Sequence, residues 1–169
     1  MQLTAIIDLQ ERLVSAMNEA DSIVEAAGKL IAGARLLGMQ PIVTEQNPDK
    51  LGSTVAALEI GTCSAIPKMS FDSSGILFAN GAAEADAIVI AGCEAHICVR
   101  QTVRSLRARD MRVIVAADAV GSRKEVDYRT ALRAMEAMGA ELATVEAILF
   151  DWLGTAEHQY FREISRLIK

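Results

Sequence analysis

Short apolar segments rich in β-branched residues alternate along the chain with longer amphipathic segments. The apolar segments predict β-strands over residues 4–8, 41–44, 64–67, 87–91, 112–116 and 141–145. Those in the middle of the chain are nearly continuous apolar runs instead of alternating ones. A strand with this pattern has both faces covered, which is typical of a parallel sheet between two layers of helices.

The amphipathic segments predict helices between these strands. Apolar residues recur at helical spacing over residues 23–37, 98–109, 126–138 and 155–168. Strands that alternate with helices require right-handed crossovers. We therefore predict an α/β fold, a three-layer α/β/α sandwich whose six-stranded parallel sheet has the order 3-2-1-4-5-6. No repeat or linker divides the chain, so residues 1–169 are expected to form a single domain.

The composition excludes several classes of protein. Of 169 residues, 51% are hydrophobic and 23% are charged, as in a globular domain and unlike a disordered chain. The apolar runs are far shorter than the ~20 residues of a membrane span, so no membrane partner is expected. The net charge is -5 with acids and bases interspersed, which argues against nucleic acid as a partner. A small-molecule substrate is the partner that we expect.

Cysteine usage and the first residues bear on the compartment. The segment MQLTAIIDLQERL lacks a basic region and places an acid in its first apolar stretch, unlike a signal peptide. The chain has three cysteines, an odd number that favours free thiols over a disulfide framework. We therefore expect a cytoplasmic protein.

Three residues capable of chemistry follow predicted strands. Asp8 ends the first strand, Lys68 follows the third, and Cys98 begins the helix after the fourth. Ligands of such sheets bind beyond the carboxyl ends of the strands. A helix N-terminus and a nearby cation favour the thiolate, so we expect a Cys98 pKa below the ordinary value. Asp8 is then suited to accept and return a proton, as in acyl transfer from a small amide.

Each of these residues also has a structural interpretation. An aspartate at the end of a strand, such as Asp8, commonly caps a helix or forms hydrogen bonds within a loop. Lys68 is compatible with a lysine that extends from a loop into solvent. A cysteine at the start of a helix beneath a sheet, such as Cys98, often serves only as a small buried apolar residue. Because all three residues lie at the same edge of the predicted sheet, we favour a catalytic role for them.

The motifs around these residues resemble the isochorismatase-like cysteine hydrolases. They read DLQ at 8–10, PKMSF at 67–71 and GCEAHICV at 92–99. The similarity continues through residues 117–123 and 144–150, over nearly the whole chain, and is greatest to the small isochorismatase domain-containing branch.

The resemblance implies roles for the matching positions. Cys98 is the implied nucleophile, Asp8 the proton acceptor and donor, and Lys68 the cation that holds both in register. A cis peptide bond is implied between Cys93 and Glu94, with the main-chain N–H groups of Glu94 and Cys98 as the oxyanion hole. The implied activity is hydrolysis of an amide-type C–N bond through a thioester, by a homodimer or a higher homo-oligomer.

The histidine content bears on metals. Nicotinamidases of this superfamily carry an Asp-x-His pair and a further histidine, whereas this chain reads TEQN at 44–47 and has only His96 and His158. We therefore expect no metal site and no cofactor. Cys93, His96 and Cys98 are too close in sequence for ordinary zinc-ligand spacing.

Three further residues are candidates for substrate binding. Gln10 and Phe71 each follow a proposed catalytic residue by two or three positions, and His96 lies two residues before Cys98. The alternative for Phe71 is packing in the core, and the alternative for His96 is packing against the turn.

Two other classes of function are compatible with the chain. One is a catalytically retired isochorismatase-fold protein that binds a metabolite or serves as a scaffold. The other is a redox protein that uses Cys93 and Cys98, although their spacing is not the Cys-x-x-Cys arrangement that tunes such thiols. The presence of Asp8, Lys68 and Cys98 together favours the hydrolase.

Overall fold

The computed structural model describes residues 2–61 and 63–169 and shows a parallel sheet with helices on both faces. The sheet has six strands in the order β3-β2-β1-β4-β5-β6, which confirms the predicted class and order. The predicted domain also includes residues 1 and 62, which lie outside the described residues. The strands are β1 (Gln2–Ile7), β2 (Ile42–Gln46), β3 (Ile66–Lys68), β4 (Ala87–Cys93), β5 (Val113–Gly121) and β6 (Glu141–Ala143).

The helices connect these strands and add two short segments beside β1 and β2. They are α1 (Glu11–Val14), α2 (Ala20–Leu36), α3 (Pro48–Leu51), α4 (Ser74–Ala79), α5 (Arg100–Arg107), α6 (Glu125–Ala137), α7 (Val145–Leu153) and α8 (Phe161–Leu167). One π-helical turn, Ala95–Val99, joins β4 to α5. Within the described ranges, no helix combines the length and the apolar character needed to cross a membrane.

The end of the chain differs from the prediction. The predicted last strand, residues 141–145, ends at Ala143 because Thr144 caps a helix instead, and its Oγ1 accepts a hydrogen bond from Ala147 N at 3.3 Å. That helix, α7, was not predicted. Gly154 ends it in the left-handed conformation (φ 66°), so only Phe161–Leu167 of the predicted helix over 155–168 is helical.

Two apolar clusters cover the two faces of the sheet. One packs α2, α7 and α8 against the sheet, with Leu30, Ile148 and Ile164 at its centre. The other packs α5 and α6 against the opposite face, through residues such as Leu106 and Met135. Every residue of β4 is buried, which explains its continuous apolar sequence.

The strand order reverses between β1 and β4, because the chain leaves β1 toward β2 and leaves β4 toward β5. At this point Gly92 has a φ of 133°, and a Cβ built on it would lie 2.0 Å from Ile7 O. Only glycine permits so close an approach of the two strand ends. The approach brings the residues that follow β1 next to those that follow β4.

Candidate active site

Asp8 lies at this reversal point and is fully buried. Its backbone is left-handed (φ 52°), and its carbonyl accepts hydrogen bonds from Gln10 N at 2.8 Å and from the Cys93 thiol at 3.0 Å. In its carboxylate, Oδ1 accepts a hydrogen bond from Thr44 Oγ1 at 2.8 Å, and Oδ2 accepts one from Lys68 Nζ at 2.6 Å. The carboxylate therefore has a fixed position and a counter-ion.

Lys68 ends β3, and its side chain is buried like that of Asp8. Besides Asp8, Nζ faces Gln46 Oε1 at 2.8 Å, Ser70 O at 3.1 Å and Phe71 O at 3.4 Å. All of these atoms are acceptors, and they surround an ammonium group that has three N–H donors. The donors of Lys68 are therefore occupied by the protein itself.

Cys98 lies in the π-helical turn before α5 and is 4% exposed. Its carbonyl accepts a hydrogen bond from Thr102 Oγ1 at 2.8 Å. Burial is the main cause that raises the pKa of Cys98 to about 12, and the negative charge of Asp8 adds to it. The charge of Lys68 and a hydrogen bond from the Glu94 main chain act in the opposite direction.

The expectation of a lowered Cys98 pKa is therefore wrong. The helix was predicted to begin at residue 98, but α5 begins at Arg100, and Cys98 lies in the turn before it. Burial and the Asp8 carboxylate raise the pKa of Cys98 by more than the Lys68 ammonium lowers it. At neutral pH the thiol is protonated, and it becomes a nucleophile only if a neighbouring group accepts its proton.

The turn that carries Cys98 is held by the residue at its start. The peptide bond between Cys93 and Glu94 is cis, as the resemblance implied. The Glu94 carbonyl accepts hydrogen bonds from Ile97 N at 3.0 Å and from Val99 N at 3.3 Å. The Glu94 carboxylate points toward the end of β5, where Oε2 pairs with Arg123 Nε at 2.9 Å.

The three predicted substrate-binding residues have different environments. Gln10 is fully buried, and its amide hydrogen-bonds with main-chain groups of Gln46 and Gly52, while its role toward a substrate stays a prediction. Phe71 is 50% exposed beside the Lys68 ammonium, so core packing is not its role. His96 is half-buried, with Nδ1 2.9 Å from Ser122 Oγ.

Sequence reasoning missed two residues that contact the Asp8–Lys68 pair. Thr44 and Gln46 lie two positions apart at the carboxyl end of β2, so their side chains lie on the same side of the sheet. The signal was available, because β2 ends in the consecutive polar residues Thr44, Glu45 and Gln46, of which the first and third share a face. In the described part of the chain, no group of three His, Cys, Asp or Glu side chains is arranged to hold a metal ion.

Comparison with protein families and curated proteins identifies relatives of this chain. The model of the isochorismatase domain matches residues 3–147. Isochorismatase domain-containing protein 1 of Salmo salar is 37% identical over 168 residues, which cover 96% of this chain. The matched region spans 59% of that relative's length.

Solved structures show the same fold. The structure of MAR1 ribonuclease from Caenorhabditis elegans superposes with a TM-score of 0.94 at 34% identity, covering 99% of this chain and 88% of that one. YcaC from Escherichia coli, described as an octameric hydrolase of unknown specificity, has a TM-score of 0.82 at 20% identity, covering 99% and 91%. The family match and the shared fold together show that this chain belongs to the isochorismatase family.

Proposed function

We propose that this protein is a metal-independent cysteine hydrolase that cleaves an amide-type C–N bond of a small molecule through a thioester on Cys98. The observation that carries the proposal is the buried ion pair of Asp8 and Lys68, 2.6 Å apart, whose charges both act on the Cys98 thiol. A proton-accepting carboxylate, a fixed cation and a thiol are the groups that nucleophilic acyl transfer requires. Membership of the isochorismatase family supports the hydrolase class.

Proton transfer to Asp8 starts the proposed reaction. A pKa of about 12 keeps the Cys98 thiol protonated at rest, so the thiolate forms when the Asp8 carboxylate takes its proton. The sulfur then attacks the carbonyl carbon of the amide and forms an S–C bond. The carbonyl oxygen gains the negative charge, and the main-chain N–H groups of Glu94 and Cys98 are the proposed donors to it.

Collapse of this intermediate breaks the C–N bond. Asp8 returns its proton to the leaving nitrogen, which departs as ammonia or an amine and leaves a thioester on Cys98. Water then gives a proton to Asp8 and attacks the thioester. The carboxylic acid leaves as Asp8 returns the proton to the sulfur, which restores the thiol and the carboxylate.

The surroundings of the ion pair favour an uncharged amide as substrate. The N–H donors of Lys68 are occupied by Asp8, Gln46 and two main-chain carbonyls, so none is left to bind a substrate carboxylate. The pair is neutral in sum, and an anionic substrate would add an unpaired charge in a buried site. We expect a small substrate, because Cys98 is 4% exposed and a bulky acyl group would not reach its sulfur.

The proposal extends to the assembly and the partners. We propose a homo-oligomer in the cytoplasm that acts on a small molecule, with no nucleic-acid or membrane partner. Met69 is 71% exposed and Phe71 50% exposed, directly after Lys68, and a second copy of the chain would cover these apolar side chains. The octameric state described for YcaC is in line with this expectation.

A substrate screen with mass spectrometry tests the function. Purified protein is incubated with small uncharged amides and ureides, with and without EDTA, and ammonia release and covalent mass increase are both measured. We expect turnover and a thioester adduct on Cys98, both lost in Cys98→Ala and kept in Cys63→Ala. Cys63 is the matched control because its thiol contacts Arg35 and Gln40, away from the ion pair.

Other outcomes would favour other functions. Binding of an amide without turnover or adduct would favour the retired binding protein. Since a structurally similar protein is described as a ribonuclease, single-stranded RNA is included as a substrate. Its cleavage by Cys98→Ala as well as by the wild type, with no amide turnover, would favour a nuclease over the amide-cleaving cysteine hydrolase. Loss of turnover with EDTA would contradict metal independence.

A further inference from the structure

Gln46 is the only neutral side chain among the described partners of the Lys68 ammonium. It ends β2, is 7% exposed, and lies opposite Lys68 in the register of β2 and β3. Residues paired in this way on neighbouring strands project to the same face of a sheet. The register therefore brings the amide of Gln46 to the ammonium, where Oε1 accepts a hydrogen bond at 2.8 Å.

The amide of Gln46 has only one orientation that satisfies its neighbours. Its Nε2 donates a hydrogen bond to Met69 O at 2.8 Å, on the segment that follows Lys68. A reversed amide would place a donor against the ammonium and an acceptor against the carbonyl. The hydrogen bond to Met69 therefore fixes Oε1 toward Lys68.

Gln10 fixes the main chain of Gln46. Its Oε1 accepts a hydrogen bond from Gln46 N at 2.7 Å, and its Nε2 donates to Gln46 O at 3.1 Å and to Gly52 O at 2.6 Å. The side chain of Gln10 thus pairs with the end of β2 as a neighbouring strand would. The position of the Gln46 side chain follows from this fixed backbone.

A neutral acceptor here has a consequence that a charged one would not have. A second carboxylate beside Lys68 would compete with Asp8 for the ammonium and leave a net negative charge in the buried site. The amide oxygen of Gln46 holds the ammonium while its positive charge continues to act on Asp8 and Cys98. Met69 and Gln46 thereby keep Lys68 in place without neutralising it.

We propose that Gln46 is a positioning residue that holds the Lys68 ammonium against Asp8 and preserves its charge beside the Cys98 thiol. This inference rests on the proposed function, and it assigns Gln46 no contact with substrate. The ionisable groups that act on the thiol are Asp8 from the end of β1 and Lys68 from β3, and Cys98 in turn helps to raise the pKa of Cys93 in β4. Gln46 acts on it through Lys68.

Alkylation of Cys98 measures this role without a known substrate. The rate of labelling by iodoacetamide is followed by peptide mapping between pH 8 and 9.5, a range in which the thiolate of Cys98 is a small fraction that rises with pH. Gln46→Met keeps the side-chain size and removes both hydrogen bonds. Gln46→Glu keeps an acceptor toward Lys68 and adds a negative charge.

We expect Cys98 to be labelled about tenfold more slowly in both variants than in the wild type at each pH. The curve of labelling rate against pH is then displaced by about one pH unit toward higher pH. Gln159→Glu adds the same charge at an exposed position and is expected to match the wild type. Lys68→Met is the reference for full loss of the cation. A residue that only stabilises the fold would have the opposite effect, because loosening of the site exposes Cys98 and speeds its labelling.

Each result decides the inference. Labelling of both variants at the wild-type rate, or equal slowing by Gln159→Glu, would overturn it while the proposed function stands. If Gln46→Met does not fold, Gln46→Glu decides alone, and failure of both to fold would show a structural role only. Amide turnover that persists in Cys98→Ala would overturn the proposed function and this inference with it.

Discussion

Replacement of Lys68 with methionine removes the counter-ion of a buried carboxylate. The Asp8 side chain has no exposed surface, and Lys68 Nζ lies 2.6 Å from its Oδ2. After the substitution, the carboxylate keeps the hydrogen bond from Thr44 Oγ1 at 2.8 Å and its interaction with the Cys98 thiol, but it has no counter-ion. Methionine fills most of the space of the lysine stem, so the lost charge and not a cavity determines the effect.

The size of the effect follows from burial of an unpaired charge. Loss of one partner of a buried ion pair costs about 3–5 kcal/mol. We therefore expect Lys68→Met to lower the free energy of unfolding by about this amount and the Tm by roughly 10 °C or more. The double variant Asp8→Asn with Lys68→Met removes both charges, and asparagine tolerates the left-handed backbone at this position (φ 52°).

Urea unfolding of the two single variants, the double variant and the wild type measures the coupling between the residues. We expect the double variant to be more stable than Lys68→Met alone, because no unpaired charge is left in the site. Arg112→Met is the control for an exposed pair with Glu141, and its expected loss is within about 1 kcal/mol. A loss below 1 kcal/mol for Lys68→Met, or strict additivity in the double variant, would refute the reasoning.

Three further predictions concern the Cys98 thiol, the Asp8 carboxylate and the close approach of β1 and β4 at Gly92. Labelling of Cys98 in the wild type should rise about tenfold per pH unit between pH 7 and 10, because its pKa is raised to about 12, mainly by burial; a flat profile would contradict this. Thr44→Val should cost about 1.5–3 kcal/mol in urea unfolding through the lost hydrogen bond to Asp8, whereas no measurable loss would show that this bond is unimportant. Gly92→Ala should prevent folding, measured by circular dichroism, since its Cβ would lie 2.0 Å from Ile7 O, whereas Gly28→Ala in the open part of α2 should fold normally.

Local sequence pattern determined the six strands and four of the helices of the fold. The continuous apolar run of β4 required cover on both sides, and all of its residues are buried. Alternation with amphipathic segments determined a parallel sheet, since helices are the connections that such strands require. Segments near residue 144 escaped this reasoning, because Thr144 acts as a helix cap within a sequence that also suits a strand.

The edge at which chemistry occurs was also readable from the chain. Asp8 and Lys68 each lie at the end of a strand, and all strands of a parallel sheet end at the same edge. Their contact joins residues 60 positions apart, and the hydrogen bond between the Cys93 thiol and the Asp8 carbonyl joins residues 85 positions apart. The sequence placed these groups on one edge, and only the packing of the strands determined which atoms meet.

Tertiary structure alone decided the electrostatic state of the site. Sequence position suggested that a helix terminus and a lysine would lower the pKa of Cys98, but burial and Asp8 raise it to about 12. Likewise, Gln10 follows Asp8 closely in sequence and yet faces the end of β2, while Gln46, from another strand, reaches Lys68. Desolvation and hydrogen bonding depend on which distant segments surround a group, so a linear pattern names the groups but not their surroundings.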